Sequence, residues 1–427
     1  MSKKCNGGTM KVIKRDIYLN KLIDSKENTM VKVITGIRRC GKSYLLFNLY
    51  YDHLKSIGVK DENIIRIALD DEQNEDLKDP KVLGSYIRKQ IKNSDMYYIF
   101  LDEIQLVGRF EPLLNGLNRI ENTDVYVTGS NSKFLSSDIL TEFRGRGHEI
   151  RVYPLCFREF SSAYSGTIEE AWDEFVIYGG LPNLFNLKTS EQKSNYLLTQ
   201  FEKTYFADII ERNNLQKDSV LEAIVNILAS SIGSLTNPAK LARTFESSGI
   251  KGVSEKTISS YINHLIDAFI IRKVERYDIK GKKYISTPSK YYFCDIGLRN
   301  ARLNFRQQEE NHIMENIIYN ELLVRGLNVD VGVVEHRTTD SKGKTIRKQY
   351  EVDFVCNQES KRYYIQSALN LDTYEKTQQE QNSLIRVDDA FKKIIIVKNR
   401  GKHWRTEKGV VVINVLDFLL DPNSLDL

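Results

Sequence analysis

Apolar residues in this chain fall into short unbroken runs that alternate with stretches of helical spacing, the pattern expected when strands and helices build an α/β fold. Val31 to Leu46 reads VKVITGIRRCGKSYLL, a buried-type strand running into a glycine loop and then a helix. Apolar residues from Tyr44 to Leu54 have helical spacing, IIRIALDDE from Ile64 reads as a second strand, and Val82 to Ile91 as another helix. Met96 to Gln105, MYYIFLDEIQ, and Asp124 to Asn131, DVYVTGSN, complete a set of strands suited to a parallel sheet. Ile168 to Gly179 and Lys193 to Glu211 are helical, and the GGLP turn between them breaks the helices at Gly179, Gly180 and Pro182.

The pattern changes from Gln216 to Tyr292, where three helices precede a hairpin. Asn237 and Pro238 open a short helix, Ser254 caps the next, and Ile270 to Tyr277 pairs with Lys283 to Phe293 around Lys280, Gly281 and Lys282. Helix, turn, helix and basic hairpin describe a winged helix, in which the second helix enters the DNA major groove and the wing touches phosphates. Lys251, Lys256, Arg272, Lys280, Lys282 and Lys283 supply the charge, while the stripe Ile258, Tyr261, Ile262, Leu265 and Ile266 is equally the core of a protein-interaction module. The last third, Asn311 to Leu420, follows the order helix, strand, strand, helix, strand.

A chain of 427 residues is long enough for two or three domains, and 41% hydrophobic with 28% charged residues is ordinary for globular protein. No run of 18 apolar residues occurs, and the N-terminal segment lacks the apolar middle of a signal peptide, so a cytoplasmic, non-membrane protein is expected. Five cysteines without CxxC spacing suit reduced thiols. A net charge of +5 permits nucleic-acid binding without demanding it.

The chemistry concentrates in GIRRCGKS, Gly36 to Ser43, which fits the P-loop pattern at every fixed position. Gly36 and Gly41 let the backbone turn its N–H groups toward phosphate oxygens, with Ile37, Arg38, Arg39, Cys40 and Tyr44 as neighbouring nucleotide contacts. Lys42 reaches the β and γ phosphates, and Ser43 offers a hydroxyl to Mg²⁺. About sixty residues on, the apolar strand ending in Asp102 and Glu103 has Walker B form: Asp102 orients Mg²⁺, and Glu103 positions or deprotonates the attacking water. The strand ending in DVYVTGSN offers Thr128, Ser130 and Asn131, either polar sensors or a polar turn. EFRGRG sets Arg144 and Arg146 in a glycine-flanked loop, as fingers toward a neighbouring subunit's nucleotide or as solvated charges.

The runs GIRRCGKS, FLDEIQ, VTGSNS, FRGRG, YPLCFREF and GGLPNLF together resemble a large prokaryotic family of AAA-type ATPases that carry a C-terminal domain of unknown function. That resemblance covers essentially the whole chain and implies an ATPase core to about residue 155, ATP rather than GTP as substrate, and a γ-phosphate sensor between the Walker motifs. Asp208, in FEKTYFADIIERN, matches an acidic position of the family and carries no assigned chemistry. The last third resembles the restriction-endonuclease-like fold, whose site residues would be Glu315 (or Glu321), Asp353, Gln366 and, in place of the usual lysine, Ala368. The missing lysine argues against catalysis there, with Lys361 and Lys376 the nearest substitutes in sequence.

The expected architecture is therefore an AAA-type P-loop NTPase parallel sheet (1–155), a helical lid region (156–215), a winged helix (216–300) and an α/β endonuclease-like domain without activity (301–427). The expected function is Mg²⁺-dependent ATP binding and hydrolysis coupled to a DNA or protein partner, with self-assembly into a homo-oligomer. Two alternatives stand beside it: an ATP-controlled DNA-binding regulator, and a slow nucleotide switch.

Overall fold

The computed structural model describes residues 12–130, 147–213, 215, 218–250, 252–306, 309–339, 345–398 and 401–427. Strands β1 (Val31–Thr35), β2 (Ile64–Ala68), β3 (Tyr97–Asp102), β4 (Thr123–Gly129) and β5 (Gly147–Arg151) form one parallel sheet in the order β2-β3-β4-β1-β5. β1 and β3 are buried throughout, so each reads as an unbroken apolar run rather than an alternation. The strand order has a functional result. β4 lies between β1 and β3, so the segment after β4 emerges between the P-loop and the Asp102–Glu103 pair. This is a P-loop NTPase fold.

A second, mixed sheet has eight strands in the order β12-β13-β11-β10-β9-β8-β6-β7. Its members are β6 (Ile271–Asp278), β7 (Lys283–Phe293), β8 (Asn328–Thr339), β9 (Thr345–Gln358), β10 (Lys361–Ala368), β11 (Lys392–Val397), β12 (Trp404–Arg405) and β13 (Val411–Asn414). The hairpin of β6 and β7 forms with Asp278 opposite Lys283, and β6 then runs parallel to β8. The expected boundary at residue 300 therefore falls within one sheet. Sequence patterning carries no signal for this, because the edge on which a hairpin docks is set by tertiary packing.

The two middle helices start where their caps demand. Asn237 accepts from Lys240 N at 2.7 Å to open Pro238–Ser247, and Ser254 accepts from Thr257 N at 3.1 Å to open Glu255–Asp267. Ile258, Tyr261, Ile262 and Leu265 are buried, which leaves Lys256, Ser260 and Asn263 on the exposed face of the second helix. Among the described residues no helix is long and apolar enough to cross a membrane. One apolar core runs from Tyr18 through the helical middle to Leu425, and smaller clusters line the other face of each sheet.

Candidate functional site

The P-loop conformation follows from its glycines. Gly36 has φ +143° and packs so closely on the chain after β5 that a Cβ would stand 2.0 Å from the Val152 carbonyl oxygen. Gly41 has φ +100°, a left-handed residue just before the helix that begins at Lys42. The Lys42 ammonium is buried and donates to the carbonyls of Gly36 at 3.0 Å and Ile37 at 3.1 Å. A phosphate is a stronger acceptor than a carbonyl, so this side chain has something to gain by exchanging one for the other.

Asp102 and Glu103 close the far side. The buried Thr128 hydroxyl donates to Asp102 and accepts from the Glu103 N–H at 3.0 Å, tying both acidic residues to β4. Burial pushes the Asp102 carboxyl up from its ordinary range, opposed by hydrogen bonds from the Thr128 and Ser43 hydroxyls. Glu103 sits at φ +53°, a left-handed conformation that costs a non-glycine residue about 1 kcal/mol or more and recurs at functional sites. Its carboxylate accepts from the Gln105 side chain and, at 3.3 Å, from the Ser130 hydroxyl. Of the expected sensors, then, Thr128 positions the acidic pair and Ser130 touches Glu103; Asn131, Arg144 and Arg146 lie outside the described residues, as does Lys251.

Lys42, Ser43, Tyr44, Arg39, Gly41 and Glu103 line one cavity of about 690 Å³. Gly36, Ile37, Arg38 and Cys40 support it from behind: Arg38 leaves the loop to pair with Asp208 at 3.0 Å, and its carbonyl accepts from the Tyr205 hydroxyl at 2.9 Å. Asp208 thus gains a role as an anchor of the loop. Ser43 and Asp102 supply a hydroxyl and a carboxylate side by side, a hard-oxygen donor pair of the kind Mg²⁺ takes together with water and phosphate.

Several wall residues went unrecognised in the sequence. Arg15 is buried and donates to the Cys40 carbonyl at 2.9 Å, the Tyr153 carbonyl at 2.6 Å and Glu159 at 3.0 Å. Pro182, Asn183 and Phe185, from the end of the GGLPNLF run, line the cavity together with Asn186 and Tyr196. The turn before them is wedged in place. Leu155 N donates to the Gly180 carbonyl at 2.8 Å, the Gly180 N–H donates to Asp295 at 2.7 Å, and a Cβ on Gly180 would lie 2.2 Å from the Leu155 carbonyl oxygen. Asp295 lies two residues beyond the end of β7, so one carboxylate joins the cavity wall to the second sheet. Burial pushes it up to about 6 against the backbone N–H groups that hold it down.

In the second sheet, Glu315 on the helix Glu310–Val324 and Asp353 on β9 are brought together, as the sequence order suggested. Glu321 belongs elsewhere, paired with Arg325 at 2.8 Å. Gln366 accepts from Asp353 N at 3.4 Å and the Ser383 hydroxyl at 3.3 Å, and Ala368 is buried. The lysine comes from an unexpected place. Lys290, on β7, lies 2.9 Å from Glu315, 2.8 Å from Glu351 and 3.7 Å from Asp353, whereas Lys361 pairs with Asp426 and Lys376 with Glu380. The Tyr292 hydroxyl adds a 2.5 Å hydrogen bond to Glu315. Burial works to raise Glu315, but Lys290 together with hydrogen bonds from His312 and Tyr292 holds that carboxyl low; Asp353, buried beside the Glu315 charge, is pushed up to about 7.

A family model described as an AAA domain matches residues 28–161, and one described as a domain of unknown function (DUF8612) matches residues 169–309. An uncharacterized protein of Haemophilus influenzae is 34% identical over 417 residues, covering 96% of this chain and 99% of that protein. An uncharacterized protein of Methanocaldococcus jannaschii is 31% identical over 414 residues, covering 92% and 86%. Among solved structures, a Walker-type ATPase of Pyrococcus abyssi aligns with a TM-score of 0.48 at 15% identity, over 68% of this chain and 96% of that one. The chain therefore belongs to the family represented by its Haemophilus influenzae relative, an AAA-type P-loop ATPase family in which the AAA domain is followed by a domain of unknown function.

Proposed function

We propose that this protein binds ATP with Mg²⁺ in the P-loop cavity, hydrolyses its β–γ bond, and couples nucleotide state to the binding of a DNA or protein partner by its C-terminal half. The observation that carries the proposal is the convergence of two distant sequence motifs: Lys42 and Ser43 line one cavity with Glu103, Ser43 hydrogen-bonds Asp102, and the Thr128 hydroxyl ties Asp102 and Glu103 together. Lys42 neutralises the terminal phosphates, and Ser43 with Asp102 would hold Mg²⁺, which when bound screens the charge on the β and γ oxygens. Glu103 orients the attacking water or takes its proton, and the hydrogen bonds from Gln105 and Ser130 fix its carboxylate. Support for coupling comes from the Gly180–Asp295 contact, which places the cavity wall and the end of β7 in one hydrogen-bonded unit.

Binding and turnover are separable at this site. Lys42→Ala removes the main cation and should weaken ATP binding in calorimetry. Glu103→Gln should bind ATP normally and hydrolyse it about a hundredfold more slowly, the scale of a general base or water-positioning group. Equal loss of affinity in both variants would remove Glu103 from the catalytic role.

A further inference from the structure

The two arginines inside the P-loop have opposite surroundings. Arg38 is spent on Asp208, with Nη1 at 3.0 and 3.2 Å from the two carboxylate oxygens. Arg39 is exposed, and among the described residues it makes no hydrogen bond or ion pair. Its backbone lies at φ +65°, in the left-handed region where a glycine is free of strain and an arginine is not. Its side chain lines the same cavity as Lys42, Ser43 and Glu103, close enough to Tyr196 for its charge to act on that hydroxyl. A strained backbone carrying a five-donor cation into a pocket is poorly explained as a solvated loop charge, because glycine at this position would relieve the strain and leave the fold unchanged.

We infer that Arg39 is a side-chain ligand for the phosphate chain of the bound nucleotide, holding the phosphates that ATP and ADP share. The inference rests on the nucleotide reading above and deepens it. The location favours the shared phosphates: the amides of a P-loop cradle the α and β phosphates while its lysine reaches the β and γ pair, and Arg39 belongs to the cradle. Guanidinium geometry suits the task, since a planar fork donates two parallel hydrogen bonds to one phosphate. This is binding energy common to substrate and product, so it sets nucleotide affinity and not the barrier to hydrolysis.

The test is calorimetry of ATP and ADP with Mg²⁺ on the full chain, comparing wild type with Arg39→Gly, Arg39→Asn, Arg39→Lys and Lys42→Ala, alongside ligand-free thermal midpoints. Arg39→Gly and Arg39→Asn, both at home in the left-handed region, should keep or raise the midpoint. Each should weaken ATP and ADP by the same factor, about tenfold to a hundredfold, the scale of one charged hydrogen-bonded contact. Arg39→Lys should fall between, with the charge kept and the fork lost. Affinity within twofold of wild type in the Gly and Asn variants, while Lys42→Ala abolishes binding, would overturn the role of Arg39 alone. Loss confined to ATP would overturn it too, placing the side chain at the γ phosphate. Normal binding by Lys42→Ala would overturn the nucleotide reading itself.

Discussion

Asp295 shows how much a single buried side chain carries here. Its two carboxylate oxygens accept from Gly180 N at 2.7 Å and Leu298 N at 3.1 Å, so it caps a helix and grips the cavity wall together. Burial raises its folded pKa to about 6, above the ~3.9 of an unfolded aspartate. A raised carboxyl means that the folded state holds the proton more tightly. Its contribution is therefore full below about pH 4 and is lost as pH rises through about 6. Asp295→Asn abolishes that titration, so the stability difference between wild type and variant should shrink by about 2 kcal/mol from pH 4 to pH 7, read from denaturant midpoints at the two values. A constant difference would show that Asp295 is ionised throughout. Residues of this kind were invisible in the sequence for a physical reason. The P-loop is legible because its donors are adjacent on one turn of chain, whereas Arg15 finds its partners 25, 138 and 144 positions away and Asp295 finds Gly180 at a separation of 115.

At the scale of elements, β1 to β4 were legible from unbroken apolar runs, whereas β5 and β12, short and polar, gave no such signal, and the caps at Asn237 and Ser254 marked helix starts correctly. Sheet membership was not legible. A basic hairpin after two short helices has the local chemistry of a wing, and only long-range pairing with β8 makes it part of the larger sheet. Arg272 changes sides for the same reason, its guanidinium donating to the Tyr153 hydroxyl at 3.1 Å instead of joining the outward charge. Lys280, Lys282 and Lys283 are exposed at or beside the turn. If they hold a nucleic-acid backbone, replacing all three with Ala should weaken DNA binding on every sequence alike and lower the salt slope by about one unit for each phosphate no longer neutralised. Filter binding across a salt series measures both, and an unchanged slope would point to a protein partner.

At the scale of the molecule, the continuous core argues that the two sheets and the helices between them fold as neighbours with shared interior, not as beads on a string. The cluster around Lys290 is buried in this interior. Its geometry brings Glu315, Glu351 and Asp353 onto one ammonium, and Lys290 is buried where it does so. We expect no nicking of supercoiled plasmid by the purified protein with ATP and either Mg²⁺ or Mn²⁺, and nicking that vanishes in Asp353→Ala would refute this. Removing the ammonium should be costly: Lys290→Met leaves buried carboxylates unpaired, a change of about 3–5 kcal/mol that a thermal melt reveals directly. A counter-ion that is part of the polypeptide cannot be chelated, diluted or exchanged, so Glu315 has its positive partner from the moment the chain folds, whatever the metal content of its surroundings. Chelation therefore leaves the Lys290–Glu315 pair in place.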